Sequence, residues 1–200
     1  MKGTLLNNER LAKYTSWRVG GPAERMYLPA GREDLISFLK TLPADENVYW
    51  LGLGSNLLVR DGGIKGTVIN TRGRLKDMQL VDSNKVYVEA GVPCAHVARF
   101  CVGLGLTGAE FLAGIPGTMG GALKMNAGAF GGETWNIVDS VEMINTSGTV
   151  TKRGVQGFEV AYRSVKGLDG EWFLSVELKL AQDGSELSQQ KIKDLLEKRN

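Results

Sequence analysis

Twenty consecutive residues, Gly114-Ile-Pro-Gly-Thr-Met-Gly-Gly-Ala-Leu-Lys-Met-Asn-Ala-Gly-Ala-Phe-Gly-Gly-Glu133, contain seven glycines. Glycine loses more backbone freedom on folding than any other residue, so this density is costly unless something must approach the main chain closely. A shorter run, Trp50-Leu-Gly-Leu-Gly-Ser-Asn-Leu-Leu-Val59, has the same character. Small residues at 120, 121, 122, 127, 128 and 129 would let a flat, extended ligand lie on the backbone. Close helix–sheet packing selects the same residues, so composition alone leaves both uses open.

The chain has 200 residues, 42% of them apolar and 23% charged, with a formal charge of +2. That is enough chain for one large domain or two small ones with a sizeable core. Lysine and arginine are scattered, without the basic stripe that phosphate-backbone binding requires, so nucleic acid is not an expected partner. No apolar run approaches the roughly 18 residues needed to cross a bilayer. The start, MKGTLLNNERLAKYTSW, lacks a signal-peptide core. These features lead to the expectation of a cytoplasmic protein without a membrane partner.

Cys94, His96 and Cys101 fall in VPCAHVARFCVGLGL, read as a helix with Pro93 at its first position. Seven helical residues rise about 10 Å, too far for a disulfide. The three side chains do not share a helix face, so no metal site is expected. The cysteines read as reduced core thiols and His96 as a surface or half-buried residue.

Periodicity predicts a strand at 23–28, a helix over 32–42 ended by Pro43, and strands at 47–51 and 66–70. This small α/β unit covers residues 1–73. A second unit, 74–184, opens with a hairpin of strands 78–81 and 85–89 around Asp82-Ser83-Asn84. The Pro93 helix and the glycine segment follow, with a helix-competent stretch from Thr118 to Met125. Further strands are predicted at 137–144, 149–152 and 172–180. In the last of these, Leu174, Val176, Leu178 and Leu180 alternate with Phe173, Ser175, Glu177 and Lys179. That pattern indicates mostly antiparallel sheet carrying a helix or two. Residues 185–200 read as a helix with Leu187, Ile192, Leu195 and Leu196 on one face.

Gly52-Leu-Gly-Ser-Asn56 follows a predicted strand and can turn successive N–H groups into one concavity, a nest for phosphate oxygens. Ser55 adds a hydroxyl and Asn56 an amide; a plain tight turn is the alternative. A helix start after Gly114-Ile-Pro-Gly117 would be a second anion site. Two such segments favour a dinucleotide. The Rossmann and P-loop patterns are both absent, and nothing marks a hydrolytic triad.

Four motifs occur in order: YTSWRVGGPA from Tyr14, LGLGSNLLV, AGIPGTMGGALKMNAGAFGGE, and Tyr162-Arg-Ser164. On these, the chain resembles the bacterial UDP-N-acetylenolpyruvoylglucosamine reductases. The resemblance implies an α+β FAD-binding fold of the vanillyl-alcohol-oxidase (PCMH) type, with two α+β subdomains and FAD between them. It implies that Gly52, Leu53, Gly54, Ser55, Asn56 and Leu57 hold the pyrophosphate. Ile115, Pro116, Gly117, Thr118, Gly121, Asn126, Ala127 and Gly128 would bind the cofactor from the other wall, mostly by backbone contact along the flavin.

The implied reaction uses NADPH to reduce FAD and then reduces UDP-N-acetylglucosamine enolpyruvate to UDP-N-acetylmuramate, in cell-wall precursor synthesis. Arg163 matches the family arginine beside the substrate carboxylate, and Tyr162 either positions substrate or packs. The family's proton-donating serine and catalytic glutamate lie in a third domain, which would begin where this sequence ends. This chain is therefore expected to be the FAD-binding portion, and a monomer. Two other readings stay open: another FAD-linked oxidase or dehydrogenase of the same superfamily, and a nucleotide-binding module without activity of its own.

Overall fold

The computed structural model describes residues 1–182 and 185–197, without the side chains of 185–187, 189, 195 and 196. Leu187, Leu195 and Leu196, expected on the C-terminal helix face, thus lie outside the described side chains.

The first sheet contains β1 (Thr4–Arg10), β2 (Pro22–Leu28), β3 (Val48–Leu51) and β4 (Ile64–Asn70), in the order β1-β2-β4-β3. β1 and β2 are antiparallel, whereas β4 runs parallel to both β2 and β3. The parallel pairs need a crossover, and α1 (Arg32–Leu39) supplies it between β2 and β3. Leu35, Phe38 and Leu39 form its buried face, and the Phe38 ring stacks on Tyr27 at 3.6 Å. The helix stops at Leu39, short of the expected Leu42, and turns at Thr41 and Leu42 complete the approach to Pro43. β1 was not visible in the sequence, because TLLNNER is mostly polar and largely exposed.

The second sheet is antiparallel. It uses β5 (Met78–Asp82), β6 (Lys85–Glu89), β10 (Val138–Ile144), β11 (Val150–Gly154) and β14 (Trp172–Lys179), in the order β11-β10-β14-β6-β5. α2 (Cys94–Gly103) and α3 (Met119–Met125) pack with it around one large core. Pro93 caps α2 rather than opening it: its ψ of 134° is extended. Cys94 and Cys101 are both fully buried, and burial pushes each thiol up to about 12, so neither is a ready nucleophile. His96 is exposed.

Three short pairs complete the unit: β7 (Leu106–Thr107) with β15 (Ala181–Gln182), β8 (Gly128–Ala129) with β9 (Gly132–Glu133), and β12 (Glu159–Ala161) with β13 (Ser164–Lys166). α4 (Ser185–Glu197) is tied to the body where the Ser188 hydroxyl donates to the buried Glu110 carboxylate at 2.9 Å. Among the described residues no helix is long and apolar enough to cross a membrane, and no cluster of three metal-ligating side chains occurs.

The simple alternation expected for β14 fails at one point. Glu142 of β10 pairs with Ser175 while its neighbour Met143 pairs with Phe173, leaving Leu174 as an extra residue. A bulge of this kind reverses which side chains face which side. Phe173 therefore joins Val176 and Leu178 in the large core. Leu174 joins Tyr27, Leu35 and Phe38 in the core between the two sheets.

One ion pair also crosses between the units. Arg32, the first residue of α1, grips Glu142 of β10 through both guanidinium nitrogens at 2.6 and 2.9 Å, and Ser175 donates to the same carboxylate. The arginine bond is the main reason that the Glu142 carboxyl is held below its usual 4.5, against the opposing effect of burial. A depressed carboxyl adds stability above its ordinary range and loses it as pH falls through the folded-state value. Glu142→Gln should cost about 2 kcal/mol at pH 7, since charge-assisted bonds to a partly buried carboxylate are lost. The gap from wild type should narrow as pH drops below 4.5. Urea midpoints of both proteins across this range check it, and a gap independent of pH would contradict it.

Candidate active site

The loop after β3 is the first wall of the site. Leu53, Ser55 and Leu57 are half-buried and Gly54 is buried, yet the amides of Leu53, Gly54, Ser55 and Asn56 donate to no acceptor among the described residues. Successive N–H groups without a protein acceptor leave this loop able to donate to a bound anion. The loop is braced from behind by the Tyr14–Pro22 segment. Ser16 N donates to Gly54 O at 3.1 Å, and a Cβ on Gly54 would lie 2.1 Å from Tyr14 O. Gly54 also has φ +65°, so both geometry and space demand glycine there.

The second wall comes from the glycine-rich segment, and its backbone is mostly spent. Met119 N and Gly120 N at the start of α3 donate to Val92 O and Ala90 O, at 2.9 and 2.8 Å. This corrects the expected anion site at that helix start: its first two amides tie the helix to the connection between β6 and α2. Asn126 caps the helix with φ +43° and buries its side chain. Its carbonyl oxygen accepts from Trp135 N, and its NH2 donates to Glu133 at 2.9 Å. Ala127 N bonds Ala122 O, and Ala127 O takes both the amide and the hydroxyl of Thr134. This wall offers a flat surface rather than hydrogen bonds.

Five of its glycines divide into two kinds. At Gly114, Gly128 and Gly132 an added Cβ would strike Phe130, Gly132 O and Phe111 within 2.7 Å, so packing explains them. At Gly117 the nearest atom is Ser55 Oγ at 3.6 Å, and at Gly121 it is Thr118 Oγ1 at 4.0 Å. Neither needs to be glycine for the protein's own sake. Both border the cleft and leave it open.

Every residue that the resemblance assigns to cofactor or substrate lines one cavity of about 690 Å³: 52–57, 115–118, 121, 126–128, 162 and 163. A second chamber of about 480 Å³ shares Trp50, Leu51, Gly52, Leu57, Thr118, Gly121 and Lys124 with it, so the two form one bent cleft between the sheets. A larger recess of about 950 Å³, between the N-terminus, α1 and β5–β6, contains none of these residues and is an open, charged surface groove. The unspent amides and open glycines single out the former.

Arg163 and Tyr162 form the two-residue connection between β12 and β13. Tyr162 is 84% exposed, so it does not pack into the core. Arg163 has φ +52°, unusual for a residue with a side chain. Its guanidinium reaches across the cleft mouth to Asn56 Oδ1 at 3.3 Å, and Asn56 Nδ2 donates to Met125 Sδ at 3.2 Å. Trp50, Lys124, Met125 and Glu133 also line the cleft, although the sequence did not mark them as site residues. Only Lys124 and Glu133 carried any signal, as charges inside a glycine-rich run.

A family model described as "FAD binding domain" matches residues 23–154. A UDP-N-acetylenolpyruvoylglucosamine reductase from Methylococcus capsulatus is 56% identical over all of this chain and 66% of its own length. One from Legionella pneumophila is 59% identical, over 98% of this chain and 63% of its own. One from Nitrosococcus oceani is 54% identical, over 100% and 67%. The crystal structure of the Thermus caldophilus UDP-N-acetylenolpyruvylglucosamine reductase is similar with a TM-score of 0.81 and 30% identity, over all of this chain and 70% of its own. An alkyldihydroxyacetonephosphate synthase shares the fold at a TM-score of 0.61 and 14% identity, over 82% of this chain and 33% of its own. The fold is the α+β FAD-binding type expected from the motifs. The chain spans about two thirds of the length of the curated relatives it matches. With three of its four motifs lining one cleft and the first bracing its glycine loop from behind, the chain belongs to the UDP-N-acetylenolpyruvoylglucosamine reductase family and carries an FAD-binding domain.

Proposed function

We propose that this chain holds FAD in the bent cleft. As part of a protein of its relatives' length, it would serve the NADPH-dependent reduction of UDP-N-acetylglucosamine enolpyruvate to UDP-N-acetylmuramate, a step of peptidoglycan precursor synthesis in the cytoplasm. The observation that carries this reading is the pairing of a loop with unspent amides, 53–56, and a facing wall where a Cβ on Gly117 or Gly121 would meet nothing closer than 3.6 Å. The first suits a diphosphate and the second a flat ring system. Residues 1–73 and 74–184 are the two subdomains of this reading, and 185–200 leads on towards a substrate domain. A monomer without nucleic-acid or membrane partners fits the scattered charge.

The amides of Leu53, Gly54, Ser55 and Asn56, with the Ser55 hydroxyl, would hold the pyrophosphate. Gly52 and Leu57 complete that loop. Ile115, Pro116, Gly117, Thr118, Gly121 and the 126–128 backbone would lie along the cofactor. The chemistry FAD supplies in such a site is hydride transfer, from NADPH in one half-reaction and onto the enolpyruvyl double bond in the other. Arg163 then acts on the substrate: its guanidinium stabilises the negative charge that develops on the carboxylate side of the enolpyruvyl group. A guanidinium suits this because it is always protonated and can grip a carboxylate at two points. The left-handed backbone at Arg163, a conformation costing on the order of 1 kcal/mol, is a strain of the kind that clusters at functional sites. Tyr162, exposed beside it, is free to contact substrate. The resemblance puts the proton donor and the catalytic glutamate in a further domain, so proton delivery is assigned to no residue of this chain.

Visible absorption of the purified chain, before and after added FAD, tests the cofactor. Gly121→Leu should abolish flavin uptake while leaving the unfolding temperature near wild type, because the new side chain enters the cleft rather than the core. Gly54→Val would fail on packing alone and does not discriminate. Normal flavin content in Gly121→Leu would sink the assignment of that wall. In a protein of the relatives' length, Arg163→Ala should slow the substrate half-reaction by about a hundredfold or more, as loss of one charge-stabilising donor does elsewhere. Reduction of flavin by NADPH should change little. Stopped-flow absorbance separates the halves, and equal losses in both would remove the role given to Arg163.

A further inference from the structure

The two chambers share lining residues at a seam. Here the glycine loop of the first sheet meets α3: a Cβ on Gly52 would lie 2.3 Å from Thr118 Oγ1. Among the described residues, Lys124 is the one charged residue that lines both chambers. It stands three residues after Gly121, and therefore on the same face of α3 as that open glycine.

The other charged groups of the cleft are engaged. Glu133 accepts from Asn126 at 2.9 Å, and Arg163 donates to Asn56. Glu171 in the smaller chamber is held by Arg153 at 2.9 Å and Thr151 at 3.0 Å. Among the described residues Lys124 has no ion-pair or hydrogen-bond partner, although its ammonium carries three donors. A ligand long enough to fill both chambers must pass the residues they share, Lys124 among them, beside the loop whose amides at 53–56 are unspent.

Resting on the FAD reading above, we propose that Lys124 is a cofactor-binding residue. It would neutralise the FAD pyrophosphate at the seam and so divide the ligand, flavin in the 690 Å³ chamber and adenosine in the 480 Å³ chamber. The nest of amides contributes partial charge, and Lys124 contributes the full charge that the diphosphate lacks. An exposed lysine pairing with an anion is worth modest energy and is sensitive to salt.

The test compares wild type, Lys124→Met and Lys124→Arg, titrated with FAD and with riboflavin at several ionic strengths and read by quenching of flavin fluorescence. Methionine keeps the stem and the helix propensity without the charge. Lys124→Met should bind FAD about fivefold more weakly at low salt, with a shallower salt dependence. Riboflavin, which has no phosphate, should bind wild type and variant alike, and Lys124→Arg should restore FAD affinity. Equal FAD affinity and salt slope in wild type and Lys124→Met would overturn the proposal. An equal loss for riboflavin would also overturn it, by reducing Lys124 to packing. If wild type took up neither flavin, the FAD reading itself would fall, and this inference with it.

Discussion

Two backbone hydrogen bonds decide where the cleft lies. Met119 N to Val92 O and Gly120 N to Ala90 O bind the start of α3 to the connection between β6 and α2. A Cβ on Gly120 would sit 3.0 Å from the Ala90 Cβ, so the helix comes as close to that strand end as two backbones allow. The next residue, Gly121, then faces outward at the gap between the sheets, and Thr118 touches Gly52 across it. The cleft opens around this contact because α3 cannot move towards the first sheet without breaking both bonds. Had those amides been free, they would have offered an anion site but would not have located the wall.

The glycines therefore serve two separate purposes. Gly54, Gly114, Gly128 and Gly132 let protein meet protein, and each would collide with a named neighbour if it carried a side chain. Gly117 and Gly121 let the cleft stay empty for something else. The same segregation holds for polar groups. The first-sheet loop keeps its amides unspent, whereas the 115–128 wall has consumed nearly all of its own in α3, in the Asn126 cap and in bonds to Thr134 and Trp135. A cleft that is donor-rich along one side and flat along the other matches a ligand with an anionic middle and an aromatic end.

Arg32 and Glu142 hold the two units in register. The pair joins the helix of the first sheet to the central strands of the second, and Leu174 packs against the same helix because the bulge in β14 turns it that way. Arg32 and Glu142 do not line the cleft, yet they join the two units whose loops do.

Much of this was legible in the chain itself. Strands β2, β3, β4, β5 and β6 and helices α1, α2 and α3 follow from apolar spacing and from Pro and Gly punctuation. The glycine runs marked both walls, and the Tyr162-Arg163 motif marked the third edge. Other features could not be read. β1 is too polar to show a strand period, the extra residue at Leu174 is indistinguishable from ordinary alternation, and nothing in the YRS motif announces a hairpin, since its left-handed position carries arginine rather than glycine or asparagine. The sequence by itself determined where backbone would be bared, because removing side chains is a local and readable act. Only the tertiary structure decided which bared backbone faces protein and which faces the cleft. That choice depends on atoms brought from elsewhere in the chain: Tyr14 O lies 2.1 Å from a Cβ on Gly54, whereas a Cβ on Gly121 meets nothing nearer than Thr118 Oγ1 at 4.0 Å.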